Sequence, residues 1–212
     1  MLETLMRLNS SRAGHDKLVR VVQYSCRLMA ACQTNPAATR QLEQTVRSAR
    51  KFLRLGTSLD ALHASLQTVR HPDLIIRLTL TLSRIASAMF LFGDHVVWLA
   101  SVGLLRTQST QWSTFSNKSW LYSIILNLLR DLYEIRRVLH CYTLIAHREA
   151  SLVRYVLREH TNAVLDSLKN VTDLLLPLAA LGYIKAPKLV GLCGIVSSLA
   201  AAVQIINPRL KL

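Results

Sequence analysis

The sequence predicts an all-α protein: an amphipathic helical bundle with membrane-embedded helices and a C-terminal transmembrane helix. Glycine (7) and proline (5) are scarce among the 212 residues, and sheets built from hairpins need more turn residues than that. Apolar residues make up 51% of the chain and its mean hydropathy is +0.27, although 18% of its residues are charged. The formal net charge of +14 requires an anionic partner or a solvated surface, and the candidate partners are nucleic acid and anionic lipid headgroups.

Residues 1–72 are predicted to form an N-terminal amphipathic region, in which a membrane-remodelling role is placed below. Its first helix spans about 15–32 and its second about 37–55, and a third helix follows the second. Turn and cap residues separate the three helices: Asn35-Pro36, Gly56, the predicted cap Thr57-Ser58, and His71-Pro72.

The second helix has two distinct faces. Its apolar side chains repeat at helical spacing and form the predicted membrane-inserting face: Leu42, Val46, Ala49, Phe52 and Leu53. Its basic side chains collect on another arc and are the predicted headgroup contacts: Arg40, Arg47, Arg50, Lys51 and Arg54. Two interpretations stay open. Either the apolar stripe packs into a bundle and the basic arc is solvated, or the stripe enters one leaflet and the basic arc meets anionic headgroups.

Residues 73–105 form an apolar helix and a possible membrane segment. Its polar breaks are Arg77, Arg84 and the pair Asp94-His95. The uncharged stretches between them are shorter than the roughly 20 residues that cross a bilayer, so a core helix is the alternative. A polar loop is predicted over 106–118, and a long helical region interrupted by Pro177 over 119–177.

Residues 186–207 are predicted to be a C-terminal transmembrane helix. The 18 residues 189–206 carry no charge, and basic residues flank them on both sides: Lys185, Lys188, Arg209 and Lys211. The alternative is the buried core helix of a soluble protein. Small residues at four-residue spacing, Gly194, Ser198 and Ala202, form the predicted self-association face, because such a row allows another helix to approach closely.

The sequence favours neither an enzyme nor a nucleic-acid-binding protein. It contains no Gly-rich phosphate loop, zinc helix motif or nucleophile elbow, so we expect no catalytic residue, cofactor or metal. Its four cysteines are scattered, which predicts neither disulfides nor a zinc site. Aromatic residues are only 6% of the chain, too few near the basic helix for base stacking. Residues 1–11 lack the apolar core of a signal peptide.

Five segments together resemble the peroxin eleven family, the peroxisomal membrane-elongation proteins, and its animal alpha/beta-type members in particular. In chain order they are DKLVRVVQYSCRL (16–28), SARKFLRLGTSLDALHA (48–64), GDHVVWLASVGL (93–104), LLRDLYEIR (128–136) and LVGLCGIVSSL (189–199). One departure concerns the long low-complexity loop of many animal members, for which only about 141–151 is available here.

The resemblance implies an integral protein of the peroxisomal membrane with cytosolic termini. It implies that amphipathic-helix insertion, self-association, and cooperation with a fission adaptor and a dynamin-like GTPase promote peroxisome elongation, fission and proliferation. A different class of function is a metabolite channel or transporter component lined by Arg77, Arg84 and Asp94, because charges within spans usually face an interior. A soluble helical interaction protein is the third hypothesis.

Overall fold

The computed structural model describes residues 11–145 and 161–206, and every regular element in these ranges is an α-helix. The helices, in chain order, are α1 (Arg12–Cys32), α2 (Ala37–Leu53), α3 (Thr57–Thr68), α4 (Leu74–Ser101), α5 (Ser109–Ile145), α6 (Thr161–Ala180) and α7 (Pro187–Ile206). The predicted all-α fold is confirmed.

The first helices begin and end near the predicted turn residues, with one correction at α3. The backbone N–H of Gly14 donates to the Ser11 hydroxyl at 3.0 Å, which caps α1. The predicted Thr57-Ser58 cap is wrong, because Gly56 occupies the cap position in a left-handed conformation (φ 85°). The hydroxyl of Thr57 instead donates to the carbonyl oxygen of Arg54 at 2.7 Å.

The polar stretch after α4 is mostly helix, which corrects the predicted loop over 106–118. Helix α5 already begins at Ser109, so the connection is limited to 102–108. The polar composition misled the prediction: most of these polar residues are exposed on the outer side of the helix, and Ser116 faces the bundle interior. Ser116 and Ser119 are buried, and the Ser116 hydroxyl donates to the carbonyl oxygen of Phe90 on α4 at 3.0 Å.

Helix α6 continues through Pro177, so the predicted interruption at that residue is also wrong. The backbone N–H of Leu181 donates to the carbonyl oxygen of Pro177 at 2.9 Å, and the helix stops at Gly182 in a left-handed conformation (φ 87°).

The helices form a closed bundle. Helix α4 packs on α5, α5 on α6, α6 on α7, and α7 on α1, while α2 joins α1 to α4 and α3 lies along α4. Helix α1 runs antiparallel to α7, because Tyr24 lies against Gly194 and Leu28 against Gly191. The small apolar core of Tyr24, Leu176 and Val190 lies where α1, α6 and α7 meet.

Two helices are long and apolar enough to cross a membrane: Leu74–Ser101 and Pro187–Ile206. The second is the predicted C-terminal transmembrane helix. In the most apolar 18-residue stretch of α4, only 11% of the residues are buried by the rest of the chain. In the corresponding stretch of α7, 44% are buried. The core helix of a soluble protein would be mostly buried, so α4 in particular differs from that alternative.

Some predicted features lie outside the described residues. These are the N-terminal stretch 1–10, the segment 146–160 within the predicted long helical region and loop position, and the flanking basic residues Arg209 and Lys211.

Candidate functional site

The bundle has charged side chains inside and apolar side chains outside. In the described ranges, the buried charged residues are Arg20, Arg50, Asp94, Asp131 and Asp173. Each of the seven described helices exposes large apolar side chains, and Leu59, Leu66 and Leu132 are more than 60% exposed. Soluble proteins show the reverse distribution of charge. Charges that face the interior of an apolar helix bundle are typical of proteins embedded in lipid.

The centre of the bundle holds an ion pair between Arg20 on α1 and Asp173 on α6, which are 153 positions apart in the chain. The hydroxyl of Ser197, about halfway along α7, also donates to Asp173. The guanidinium carbon of Arg20 lies 5.6 Å from the centre of the Tyr24 ring, in cation–π range. A buried charge is tolerated when it is paired and hydrogen-bonded in this way.

A second ionic contact joins α2 to α1. The Nε of Arg50 lies 3.1 Å from the carboxylate of Asp16, and Arg50 also donates to the side-chain oxygen of Gln23 at 2.6 Å. Burial opposes the charge on Asp16, but the positive charges of Arg50 and Arg54 outweigh it and hold the pKa of Asp16 at about 2. Burial lowers the pKa of Arg50 to about 10 against the opposing effect of Asp16, so both groups stay charged at neutral pH.

A third ionic contact joins α2 to α4 through Asp94. The Nζ of Lys51 lies 3.1 Å from one carboxylate oxygen of Asp94, and an N–H of Arg54 lies 3.3 Å from the other. The guanidinium carbon of Arg54 also lies 5.7 Å from the centre of the Phe90 ring. Helix α2 is therefore attached to the bundle through its basic face.

Another polar cluster lies between α5, α6 and α7. Arg130 donates to Asp131 at 2.7 Å and to Asp166 at 3.3 Å, and the amide of Asn170 donates to Asp131 at 2.6 Å. Gln204 on α7 donates to Asp166 at 3.0 Å. The sequence analysis missed this cluster, although a signal existed: Asp166, Asn170 and Asp173 fall on one face of α6 at helical spacing.

Three cavities lie beside the polar side chains of the bundle interior. One of about 220 Å³ lies against α1 and the basic face of α2, and one of about 410 Å³ lies between α4, α5, α6 and α7. A third of about 390 Å³ shares Lys17 and Asp173 with the first cavity, and Asn127 and Asn170 with the second. Two polar cavities thus neighbour a third, more apolar cavity that shares lining residues with both.

The apolar stripe of α2 faces away from the bundle. Leu42, Ala49, Phe52 and Leu53 are exposed and Val46 is half-buried. The Phe52 ring lies 5.2 Å from the ring of Trp98 on α4, measured between centroids. This orientation differs from the interpretation in which the stripe packs into the bundle.

The predicted basic arc divides into two groups. Arg40 and Arg47 are exposed, whereas the structure places Arg50, Lys51 and Arg54 in the ionic contacts with α1 and α4. Direct headgroup contact by these three side chains would require their carboxylate partners to be released. Headgroup contact therefore stays a prediction that rests on Arg40 and Arg47 in this arrangement.

The predicted self-association row lies inside the bundle. Gly194, Ser198 and Ala202 are all buried. A Cβ added at Gly194 would lie 2.3–2.6 Å from atoms of the Tyr24 ring, so α1 of the same chain occupies this face. The row is an intrachain contact here, and self-association through it would require α1 to move away.

The residues of the alternative channel hypothesis are only partly brought together. Asp94 lines the 220 Å³ cavity and Arg84 lines the 410 Å³ cavity, whereas Arg77 is half-buried. Among the described residues, no group of three or more histidine, cysteine or acidic side chains has the geometry to hold a metal ion.

Comparisons with known proteins agree on one family. The family model described as Peroxisomal biogenesis factor 11 (PEX11) matches residues 2–206. Human peroxisomal membrane protein 11A is 30% identical over 244 aligned positions, and human peroxisomal membrane protein 11B is 30% identical over 257. Bovine peroxisomal membrane protein 11A is 31% identical over 247. Each alignment covers 100% of this chain and 99% of the relative. No solved structure matches the chain significantly.

Proposed function

The chain belongs to the Peroxisomal biogenesis factor 11 (PEX11) family, and we propose that it elongates the peroxisomal membrane before fission by inserting α2 into one leaflet. Its role is at the peroxisomal membrane, as the names of its relatives indicate. The family is one of biogenesis factors and is not a known enzyme family. Integral insertion with both termini in the cytosol is part of the proposal.

The observation that carries the proposal is the outward apolar stripe of α2, on a helix that packs beside the candidate membrane span α4. Leu42, Phe52 and Leu53 are each about half exposed. Transfer of a fully exposed large apolar side chain out of water contributes about 1.5–3 kcal/mol, so each of these contributes about 1 kcal/mol. Arg40 and Arg47 would add about 1 kcal/mol each near an anionic surface.

Insertion into one leaflet adds area to that leaflet alone, and the membrane then bends toward it. One helix bends a bilayer little, so many copies have to gather. The proposal therefore includes a homo-oligomer and an anionic phospholipid membrane as partners. Cooperation with a fission adaptor and a dynamin-like GTPase belongs to it through the family resemblance alone.

The test uses full-length protein in liposomes that contain anionic lipid. Charging the stripe with Val46→Glu and Leu53→Glu should abolish tubulation seen by electron microscopy, because two carboxylates would have to enter the apolar leaflet. The matched control is Gln41→Glu with Ser48→Glu, two exposed positions outside the stripe. Equal tubulation by the stripe variant and the control would rule out the wedge.

Membrane integration and topology need separate measurements. Alkaline extraction of organelles should leave the full-length protein in the pellet, whereas a soluble helical interaction protein would be released. Protease protection with tags at both termini and within 102–108 should show both termini on the cytosolic side. Protection of both termini in intact organelles would contradict the proposed orientation.

We propose a metabolite channel as a second candidate function, because two polar cavities and the more apolar cavity between them share lining residues through the bundle interior. Purified protein in a planar bilayer should then conduct small ions. Asn127→Leu, which places an apolar side chain between two cavities, should lower the conductance, and Leu132→Ala on the outer surface should not. A bilayer that stays non-conducting with the full-length protein would exclude this function.

A further inference from the structure

We propose that the 220 Å³ cavity against α1 and the basic face of α2 is a binding site for a phosphate group, in which Lys17, Arg27 and Arg47 hold the ligand. This site is separate from the apolar stripe, which faces the opposite side of α2, and it does not depend on membrane bending. The ligand class follows from the charge, size and walls of the cavity.

The charge of the cavity is strongly positive. Seven basic side chains line it against three carboxylates, those of Asp16, Asp94 and Asp173. Four of the basic residues already form the ion pairs described above. The other three, Lys17, Arg27 and Arg47, form no ion pair with any described part of the chain. The cavity therefore retains positive charge after its internal pairs are counted, which favours an anion.

The state of Lys17 agrees with this excess. Burial, followed by the neighbouring charge of Arg20, lowers the pKa of Lys17 to about 8, although Asp16 and Asp173 act in the opposite direction. The two carboxylates therefore do not fully offset burial and the charge of Arg20. An anion bound beside Lys17 would add negative charge and favour the protonated amine.

The size of the cavity selects the ligand. At about 30 Å³ for each water molecule, 220 Å³ holds about seven waters. Sites for drug-sized ligands have about 300–1,000 Å³, so this cavity suits a phosphate group better than a whole nucleotide.

The walls of the cavity favour phosphate over a smaller anion. Arginine binds phosphate oxygens through two parallel N–H groups, and Arg27 and Arg47 both line the space. The rings of Tyr24, Phe90 and Trp120 form part of the wall, and Arg47 lies at the exposed side of the cavity. Electrostatic attraction is stronger beside such apolar rings than in bulk water.

Two sources can supply a phosphate monoester or phosphate ion: a lipid headgroup such as phosphatidic acid, or phosphate dissolved in the aqueous phase. The test distinguishes them with full-length protein in nanodiscs of neutral phosphatidylcholine. One arm adds inorganic phosphate against chloride at equal ionic strength, and the other incorporates phosphatidic acid in the disc. A saturable rise in melting temperature is expected in at least one arm. The arm that responds identifies the source, and either response supports the site.

Variants then locate the binding. Lys17→Gln, Arg27→Gln and Arg47→Gln each remove a positive charge without leaving a paired carboxylate behind, so the bundle should still fold. Each should weaken binding about tenfold, the loss expected for one charge-assisted hydrogen bond. Lys185→Gln, exposed and outside the cavity, is the matched control and should bind like the unchanged protein. No saturable response in either arm, or equal binding by Lys17→Gln and Lys185→Gln, would overturn the proposal.

Discussion

The contact between α1 and α7 gives a sharp test of the bundle, through the substitution Gly194→Ala. An added Cβ would lie 2.3, 2.4 and 2.6 Å from three atoms of the Tyr24 ring, whereas ordinary contacts are 3.4–4 Å. Relief of this overlap requires the ring and the helix to separate by about 1 Å. The ring cannot simply swing aside, because Tyr24 is only 6% exposed and packs with Leu176 and Val190.

The expected cost follows from overpacking. Extra carbon atoms in a well-packed interior cost about 1–3 kcal/mol. Alanine has a higher helix propensity than glycine by about 1 kcal/mol, which offsets part of that cost. The stability change of the single substitution therefore combines both effects and does not isolate the cost of the overlap.

A double-mutant cycle with Tyr24→Ala removes the propensity difference, because it enters both sides of the cycle. The coupling between Gly194→Ala and Tyr24→Ala should be about 1–3 kcal/mol, with the smaller residue at 24 relieving the overlap. In a domain of this size, about 2–4 °C in melting temperature corresponds to 1 kcal/mol. The assay is thermal unfolding of the detergent-purified protein followed by circular dichroism.

A second glycine provides an internal comparison. At Gly191 the added Cβ would lie 3.0–3.1 Å from atoms of Leu28, so a shift of a few tenths of an ångström is enough. Gly191→Ala should therefore destabilise the protein less than Gly194→Ala. Additive effects of Tyr24→Ala and Gly194→Ala, with no measurable coupling, would refute the described contact between α1 and α7.

Three further predictions concern polar groups, each measured by thermal unfolding of purified protein. Asp173→Asn should cost about 3–5 kcal/mol, because it leaves Arg20 charged and unpaired inside the bundle, and an unchanged melting temperature would contradict that pair. Asp16 has a pKa of about 2 in the folded protein against 3.8 normally. Its ionised carboxylate therefore contributes about 2 kcal/mol to the free energy of unfolding above pH 4, and this contribution disappears as the pH falls toward 2. Asp16→Asn should remove that acid-sensitive part, whereas persistence of the same pH profile would show that the pair with Arg50 is not its cause. Ser11→Ala should cost about 1 kcal/mol through loss of the α1 cap, and a neutral result would argue against the hydrogen bond to α1.

The sequence was sufficient to predict the helical class and several helix limits. Pro36 and Gly56 mark the ends of α2 within three residues, because proline and left-handed glycine stop a helix locally. The uncharged stretch of α7 predicts a candidate span, since length and composition alone decide it.

The side of each helix that faces inward could not be predicted in the same way. Periodicity separates two faces but does not say which face is buried, and in this bundle the polar face is inside. The loop wrongly predicted over 106–118 has another cause, because exposed polar residues such as Thr110, Gln111 and Thr114 lie on a helix there. The Arg20–Asp173 pair joins residues 153 positions apart, and no local pattern indicates such a contact.

The polar interior and apolar exterior imply two opposite rules for tolerated substitution within one helix. On the outward side of α7, at Leu192 or Leu199, exchange for another aliphatic residue should change the stability little, whereas exchange for serine should lower it. On the inward side, at Ser197, the preference should reverse, because an aliphatic group there would leave a carboxylate without its hydroxyl donor. A saturation scan of this one helix should therefore alternate between tolerance of hydrocarbon and tolerance of hydroxyl at a period of about 3.6 residues.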